Sequence, residues 1–197
     1  MGILTEGLPD SITVEGKKYA VNTDFRVWIK FGELMSTSAT SSEKLFSAIV
    51  LCFDKDRSRQ LPSDPAAALE ALCDFYACGK LHSGGKKPGR NRGGKKDRVF
   101  SFSEDWGYIY AAFLSEYGMD LFSERLHWYQ FMALLESLSE ESRFMKILAY
   151  RTVQPENTAD SARRKFLRRM KSLYSLPDNR TEEEKESELA DKLSLLF

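Results

Sequence analysis

The chain has 197 residues and a mass of 22.5 kDa, with 42% apolar and 29% charged residues, which is typical of a globular protein of one or two small domains. Its 29 basic and 29 acidic residues balance, which argues against a surface dedicated to polyanions. No apolar run approaches the roughly 20 residues of a membrane span and no secretory signal is present, so we expect a cytosolic protein with free thiols at Cys52, Cys73 and Cys78.

A small β-hairpin and three helices are predicted for residues 1–78. Alternating apolar residues flank Gly16-Lys17, and a two-residue connection that begins with glycine favours a type II′ turn. Asn22, Thr23 and Asp24 are N-cap candidates for the first helix, and Pro65 opens the third, which ends with Gly79 at C′. The side chains expected to face inward are Phe25, Trp28, Phe31 and Met35, then Leu45, Phe46, Ile49, Val50 and Phe53, then Leu69, Leu72, Cys73 and Tyr76.

Residues 79–98 predict a flexible linker. They hold half of the 12 glycines and eight basic residues against one acidic residue, with too little apolar surface to pack. The linker divides the chain into an N-terminal region (1–78) and a C-terminal helical region (99–197), which form one combined domain or two small ones. Trypsin should cut first within 79–98 and leave two fragments that stay together.

Every periodic segment after the linker is helical. A capping box of Ser101 and Glu104 opens a helix that ends at Gly118, an apolar helix from Glu124 to Leu138 should be central, and Ser139 caps the next, which Pro155 terminates. The expected inward residues are Trp106, Ile109, Tyr110, Phe113, Leu114 and Tyr117 in the first of these, and Phe144, Ile147 and Leu148 in the third.

The last two predicted helices carry opposite charge. A basic helix from about Thr158 has an apolar stripe and stops before Pro177, and Thr181 with Glu184 opens an acidic helix whose apolar face contains Leu189, Leu193 and Leu196. The stripe consists of Phe166, Leu167, Met170, Leu173 and Tyr174. The predicted fold class is therefore mainly α, with about seven to eight helices and a small N-terminal β-hairpin.

Catalytic and metal-binding signatures are missing from the sequence, so we predict no enzyme, cofactor or metal site. Cys73, Cys78 and His82, with Cys52 as a fourth ligand, have a poor spacing for zinc, and Cys73 lies on an apolar stripe where core packing is favoured. For His127, flanked by Leu126 and Trp128, a packed imidazole with one hydrogen bond is favoured over a ligand or a base.

Two basic segments leave a second interpretation open. They resemble arms and helix faces that contact phosphates, as in a nucleic-acid-binding protein. The favoured alternative is that the linker is solvated and that the basic helix faces the acidic segments 99–150 and 177–197 of the same chain or of another subunit. The residues concerned are Lys86, Lys87, Arg90, Arg92, Lys95, Lys96, Arg163, Arg164, Arg168 and Arg169.

Several sequence blocks occur in order between about residues 10 and 176. They are Val-Asn-Thr-Asp-Phe-Arg at 21–26, Tyr-Ile-Tyr-Ala-Ala-Phe at 108–113, Tyr-Gly-Met-Asp-Leu at 117–121, Leu-His-Trp-Tyr-Gln-Phe at 126–131, Leu-Leu at 134–135, Tyr-Arg-Thr at 150–152 and Lys-x-Leu-Tyr at 171–174. In this order and spacing the chain resembles the "gene product fifteen" family of long-tailed phages and prophages. It departs from the family mildly at Trp128-Tyr129, where members commonly show a Trp pair, and the linker and acidic tail are less typical.

The resemblance implies a small helical, non-virion protein of the tail-morphogenesis module, similar to tail assembly chaperones. Such proteins coat the long, helical, hydrophobic tape measure protein in the host bacterial cytoplasm until tail tube subunits polymerise around it. The implied partners are the tape measure protein and other tail assembly proteins. The basic segments described above leave a nucleic-acid-binding phage accessory protein as the alternative function. We expect no membrane partner.

Four aromatic and Met side chains are the first candidates for client contact, since soft apolar side chains tolerate varied helical partners, although core packing is the more common role of such residues. They are Trp106, Tyr110, Trp128 and Met132. The apolar face of the acidic helix also predicts self-association, with docking on the basic helix of the same chain as the alternative.

Overall fold

The computed structural model describes residues 3–37, 39–54, 57, 60–79 and 99–177. Within these residues the chain forms a mainly helical fold with a two-stranded antiparallel hairpin, as predicted. The linker beyond Gly79 and the acidic helix predicted from Thr181 lie outside the described residues. The elements are α1 (Ile3–Glu6), β1 (Ser11–Val14), β2 (Lys17–Ala20), α2 (Phe25–Ser36), α3 (Ser41–Cys52), α4 (Pro65–Tyr76), α5 (Phe102–Tyr117), α6 (Trp128–Glu136), α7 (Arg143–Thr152), a 3₁₀ turn (Pro155–Asn157) and α8 (Ser161–Leu173).

The hairpin turn is one residue earlier than the sequence predicted. Val14 pairs with Lys17, so the turn residues are Glu15 and Gly16 rather than Gly16 and Lys17. Both have positive φ, 49° and 77°, which is the type I′ geometry rather than type II′. The register places Ile12 opposite Tyr19, so the predicted apolar face of the hairpin is retained.

Short polar side chains fix most helix starts. The carboxylates of Asp24, Asp64 and Asp160 each accept from backbone N–H groups of the first turn. Ser101 accepts from the Glu104 N–H, but the reciprocal bond of the predicted capping box is replaced, because the Ser101 N–H donates to Asp105.

Three later helices start downstream of their predicted positions. The central helix α6 begins at Trp128 and not at Glu124, because His127 is its N-cap. Ser142 rather than Ser139 caps α7, and α8 begins at Ser161 rather than about Thr158, because Asp160 is its N-cap. In each case the predicted helix included loop residues that precede the N-cap in the structure.

The end of α4 also differs from the prediction. Cys78, with φ of 55°, occupies C′, and Gly79 follows it at C″. The Cys78 N–H donates to the Phe75 carbonyl and the Gly79 N–H to the Asp74 carbonyl, which is the hydrogen-bond pattern of a Schellman motif. The glycine correctly predicted that the helix ends here, but it occupies C″ rather than the predicted C′ position.

An aromatic core joins α2, α4, α5 and α6. Trp28 stacks on Phe75 with ring centroids 4.4 Å apart, and Trp128 stacks on Tyr76 at 5.1 Å. Both indole N–H groups are satisfied inside this core by backbone carbonyl oxygens, those of Asn22 and Tyr76, at 2.7 and 2.9 Å.

Gly32 is required by the packing of this core. A Cβ placed on Gly32 would lie 2.3 Å from the Tyr76 hydroxyl oxygen and 2.9 Å from its Cζ. The missing side chain of Gly32 therefore lets α2 and the Tyr76 ring approach each other.

Several apolar residues predicted to be buried are exposed. They lie on the outer sides of α3, α5 and α8, where no other described element covers them, so a helical stripe alone did not distinguish a core face from an open one. These residues are Phe46, Val50, Trp106, Leu114, Phe166 and Leu173.

The three cysteines are present as thiols rather than as disulfides, as expected. Burial raises the pKa of Cys52 to about 12, and Cys73 packs partly buried against the core, as its place on the apolar stripe predicted. Among the described residues no helix is both long and apolar enough to cross a membrane, and none of their His, Cys, Asp and Glu side chains gather in a group of three or more that could hold a metal ion.

Candidate partner-binding groove

Two helix N-termini meet through their backbones beside the core. The Phe25 N–H donates to the Leu126 carbonyl at 3.1 Å, and the Trp128 N–H donates to the Thr23 carbonyl at 2.8 Å. These bonds satisfy donors at the first turns of α2 and α6 that helices leave unpaired. They also fix the loop that precedes α6 against the start of α2.

Arg26, in the first turn of α2, holds the α5–α6 loop (residues 118–127). Its Nη1 bonds the Asp24 carboxylate at 3.1 and 3.3 Å, and its Cζ lies 4.5 Å from the centroid of the Phe25 ring. Its Nη2 donates to three carbonyl oxygens of the loop, those of Leu121, Phe122 and Glu124, at 2.7, 3.2 and 2.9 Å. The planar guanidinium therefore connects the helix start to the loop in a way that a single ammonium group does not reproduce.

An open apolar groove of about 330 Å³ lies between α2, α5, α6 and this loop. Its volume is at the low end for binding pockets, and almost all of its walls are hydrocarbon. Phe122 caps one side and is 71% exposed, and its ring centroid is 5.0 Å from that of Tyr110 and 6.3 Å from that of Trp106. The lining residues are Phe25, Arg26, Ile29, Phe102, Trp106, Ile109, Tyr110, Leu121, Phe122 and Phe131.

The outer face of α5 extends this apolar surface. Trp106 is 59% exposed and Leu114 is 46% exposed, with Tyr110 between them one turn from each. Beside this ridge run four small exposed residues at intervals of four: Ser103, Gly107, Ala111 and Ser115. No charged residue occurs from 106 to 115, so the helix presents an uncharged strip with room for close approach of another helix.

The structure brings together only part of the predicted client-contact set. Trp106 and Tyr110 both line the groove, whereas Trp128 is buried in the core and Met132 packs partly buried against it. Phe122 completes the groove and is not among the residues predicted from the sequence, because it lies between the helix that ends at Gly118 and the helix predicted from Glu124. The feature of the sequence that could have identified Phe122 is an aromatic residue directly after the Tyr-Gly-Met-Asp-Leu block.

The basic residues of the alternative site divide into two groups. Those of the linker (Lys86, Lys87, Arg90, Arg92, Lys95 and Lys96) lie outside the described residues. On α8, Arg164 donates to the Thr158 and Ala159 carbonyl oxygens and Arg168 pairs with Glu156. Two of the four α8 arginines are therefore engaged locally, while Arg163 and Arg169 make no ion pair with any described residue.

A buried ion pair ties α5 to α7. Asp105 is 1% exposed and receives two hydrogen bonds from the Arg151 guanidinium at 2.7 and 2.8 Å. The same guanidinium donates to the Tyr174 carbonyl oxygen after α8 and to that of Val99 before α5. This network fixes the start of α5, and with it the position of Trp106 at the groove.

His127 is held in one neutral tautomer. Its Nδ1 accepts from the Tyr129 N–H at 3.0 Å, so the proton is on Nε2, which donates to the Pro9 carbonyl at 2.8 Å. Burial lowers the pKa of His127, against smaller opposing effects of the Pro9 carbonyl and of Asp10. The ring makes two hydrogen bonds rather than the single one predicted, and its role is to cap α6 and to attach the N-terminal segment.

The comparisons with known proteins agree with the resemblance stated from the sequence. The family model described as Bacteriophage Gp15 protein matches residues 4–176. No curated protein and no solved structure matches the chain at a significant level. The blocks at 21–26 and 126–131 that carry the resemblance are those whose backbones pair at the two helix N-termini.

Proposed function

Since the chain belongs to the Bacteriophage Gp15 protein family, we propose that it is a tail assembly chaperone that binds the tape measure protein before the tail tube polymerises around it. It acts as a binding protein rather than as an enzyme, in the cytoplasm of the host bacterium, and is not retained in the virion. Its client is a long helical protein with apolar seams.

The observation that carries this proposal is the uncovered groove and the uncharged strip of α5 beside it. A folded protein that leaves Trp106, Leu114 and Phe122 open has an apolar surface suited to a partner. A groove between helices suits the apolar face of an amphipathic helix, which inserts side chains at intervals of three and four residues. Gly107 and Ala111 allow such a helix to pack close to the α5 backbone.

Co-expression tests the proposal directly. The full chain, produced with the tape measure protein of the same phage, should keep that protein soluble and copurify with it in a many-to-one ratio. Because the contact is apolar, the complex should persist through nuclease treatment and moderate salt. A tape measure that stays insoluble with the partner in excess would contradict the proposal.

A pair of arginine substitutions locates the contact. Gly107 is exposed, and a Cβ on it would meet nothing within 4 Å, so Gly107→Arg should fold normally while placing a charge in the strip. Ala149→Arg adds the same side chain to an exposed position of α7 outside the groove. We expect the first to lower the yield of copurified tape measure at least tenfold, equivalent to about 1.4 kcal/mol, and the second to leave it unchanged.

The nucleic-acid alternative predicts that binding is sensitive to nuclease, to salt and to the loss of basic residues. A complex that dissociates on nuclease treatment, or direct binding of duplex DNA that weakens steeply between low and moderate salt, would favour it. Arg163→Glu with Arg169→Glu should then weaken the binding of DNA and reduce its dependence on salt, whereas the proposed apolar contact should be insensitive to both.

A further inference from the structure

The outer face of α8 combines exposed apolar and basic side chains. Phe166 is 49% exposed and makes an edge-to-face contact with Tyr150, with ring centroids 6.2 Å apart, and Leu173 is 64% exposed. With Ala162 and Arg169 they form a stripe at helical spacing, 162, 166, 169 and 173, along the side opposite buried Leu167.

The basic residues of α8 divide into two groups by their partners among the described residues. Arg164, Arg168 and Lys171 bond the neighbouring carbonyl oxygens and Glu156. By contrast, Lys165 and Arg169 make no hydrogen bond or ion pair with the described part of the chain. The stripe therefore carries positive charge that no described residue pairs with, beside exposed apolar surface.

We propose that this face of α8 is the docking surface for residues 181–197 of the same chain, which lie against it as an antiparallel helix. Residues 178–197 contain seven acidic and three basic residues, whereas α8 contains six basic residues and no acidic one. The apolar positions Leu189, Leu193 and Leu196 share one helical face. Opposite charge and apolar surface therefore coincide on both partners.

Chain length supports docking within one molecule. Only seven residues, 174–180, separate the end of α8 from Thr181, and connections of 2–8 residues ordinarily join antiparallel neighbouring helices. The 13 residues of α8 span about 20 Å and 17 helical residues span about 25 Å, so the second helix is long enough to cover the first. Arg151 fixes the start of the connection by bonding the Tyr174 carbonyl at 2.6 Å.

The same geometry gives a register. Phe166 and Leu189 lie at nearly equal distances along the chain from the connection, so antiparallel packing places them side by side. Glu186 then lies beside Arg169, and Leu193 beside Ala162. Docking would neutralise the outward basic face of α8 and remove it from contact with polyanions, independently of the function proposed above.

Hydroxyl-radical footprinting of the full chain measures the covering of Phe166. Phe46, which is 71% exposed on α3, is a reference of the same chemistry in the same molecule, and exposures of 49% and 71% predict an oxidation ratio of about 0.7 for an uncovered Phe166. We expect the measured ratio to be about threefold lower, since a docked leucine face covers most of an aromatic ring.

Matched substitutions in the full chain test the register. Leu189→Ser should raise the ratio to about 0.7, whereas Leu195→Ser, which removes a leucine from a different side of the same predicted helix, should not change it. Arg169→Glu should also expose Phe166, and adding Glu186→Arg should restore its protection. The charge exchange distinguishes direct contact from a general loss of structure.

Either of two results would overturn the proposal. A ratio of about 0.7 in the unsubstituted chain, or one insensitive to Leu189→Ser, would show that this segment does not cover Phe166. Protection that rises with protein concentration, together with a lower mass by light scattering for Leu189→Ser, would identify a second copy as the occupant instead.

Discussion

Arg26→Lys tests how the groove is held open. Lysine keeps the positive charge but loses the planar fork that reaches the Asp24 carboxylate and three loop carbonyls at once. Each hydrogen bond from a charged donor contributes about 1.5–3 kcal/mol when buried. Because the Arg26 side chain is 38% exposed and lysine can retain one contact, we expect the substitution to lower the free energy of unfolding by about 2 kcal/mol.

Urea unfolding followed by circular dichroism measures this loss. For a chain of this size, about 2 kcal/mol corresponds to a decrease in Tm of about 4–8 °C. Phe122, released with the loop, should also react faster with hydroxyl radicals than in the unsubstituted protein. Arg125→Lys is the control, because Arg125 is exposed in the same loop and makes no hydrogen bond or ion pair with described residues. Equal stabilities for the two variants would refute the stabilising role assigned to the Arg26 guanidinium.

Three further substitutions probe the interior. Gly32→Ala should destabilise the protein by about 1 kcal/mol, because overpacking against Tyr76 costs about 1–3 kcal/mol and exceeds the gain in helix propensity. Adding Tyr76→Phe to the same chain should recover part of this loss of stability in a double-mutant cycle. A Gly32→Ala variant more stable than the unsubstituted protein would show that the Tyr76 ring moves freely. Asp105→Asn should cost about 3–5 kcal/mol in chemical denaturation, against less than about 1 kcal/mol for Glu141→Gln, whose pair with a lysine is exposed. The pKa of His127 is lowered in the folded state, so its contribution to stability should be complete above about pH 6.5 and lost as the pH falls towards the folded-state value. His127→Asn, which retains a capping acceptor, should flatten the dependence of the unfolding free energy on pH in this range. A variant with the same pH profile as the unsubstituted protein would refute the lowered pKa of His127.

The sequence predicted the elements that local chemistry determines. Asp24, Asp64 and Ser101 are ordinary N-cap residues before periodic apolar runs, and α2, α4 and α5 start where they indicate. His127 is a rare N-cap, and the apolar pattern continues through Leu126 before it, so the start of α6 was placed too early. The turn at Glu15 was missed because a positive φ at glutamate is set by the hairpin twist rather than by its own preference.

The groove was only partly accessible to prediction. Trp106 and Tyr110 were identified by type and spacing, but the same stripe includes buried Phe113, and only packing decides which side of α5 is covered. Phe122 lies in a loop without periodicity, and its position depends on Arg26, 96 residues earlier in the chain. Such long-range hydrogen bonds leave no local pattern in a single sequence.

The paired backbones at Thr23 and Trp128 have a consequence for the order of folding. During synthesis the hairpin and α2 emerge early, yet Leu126 and Trp128, whose backbones pair with the start of α2, leave the ribosome only about 90 residues after the end of α2. Closing so long a loop slows folding. The free-energy cost of closing it depends only weakly on its length, since doubling a loop adds about 0.6 kcal/mol. Insertions or deletions between α4 and α5 should therefore change the folding rate little, while the N-terminal third waits for α6 to complete its core.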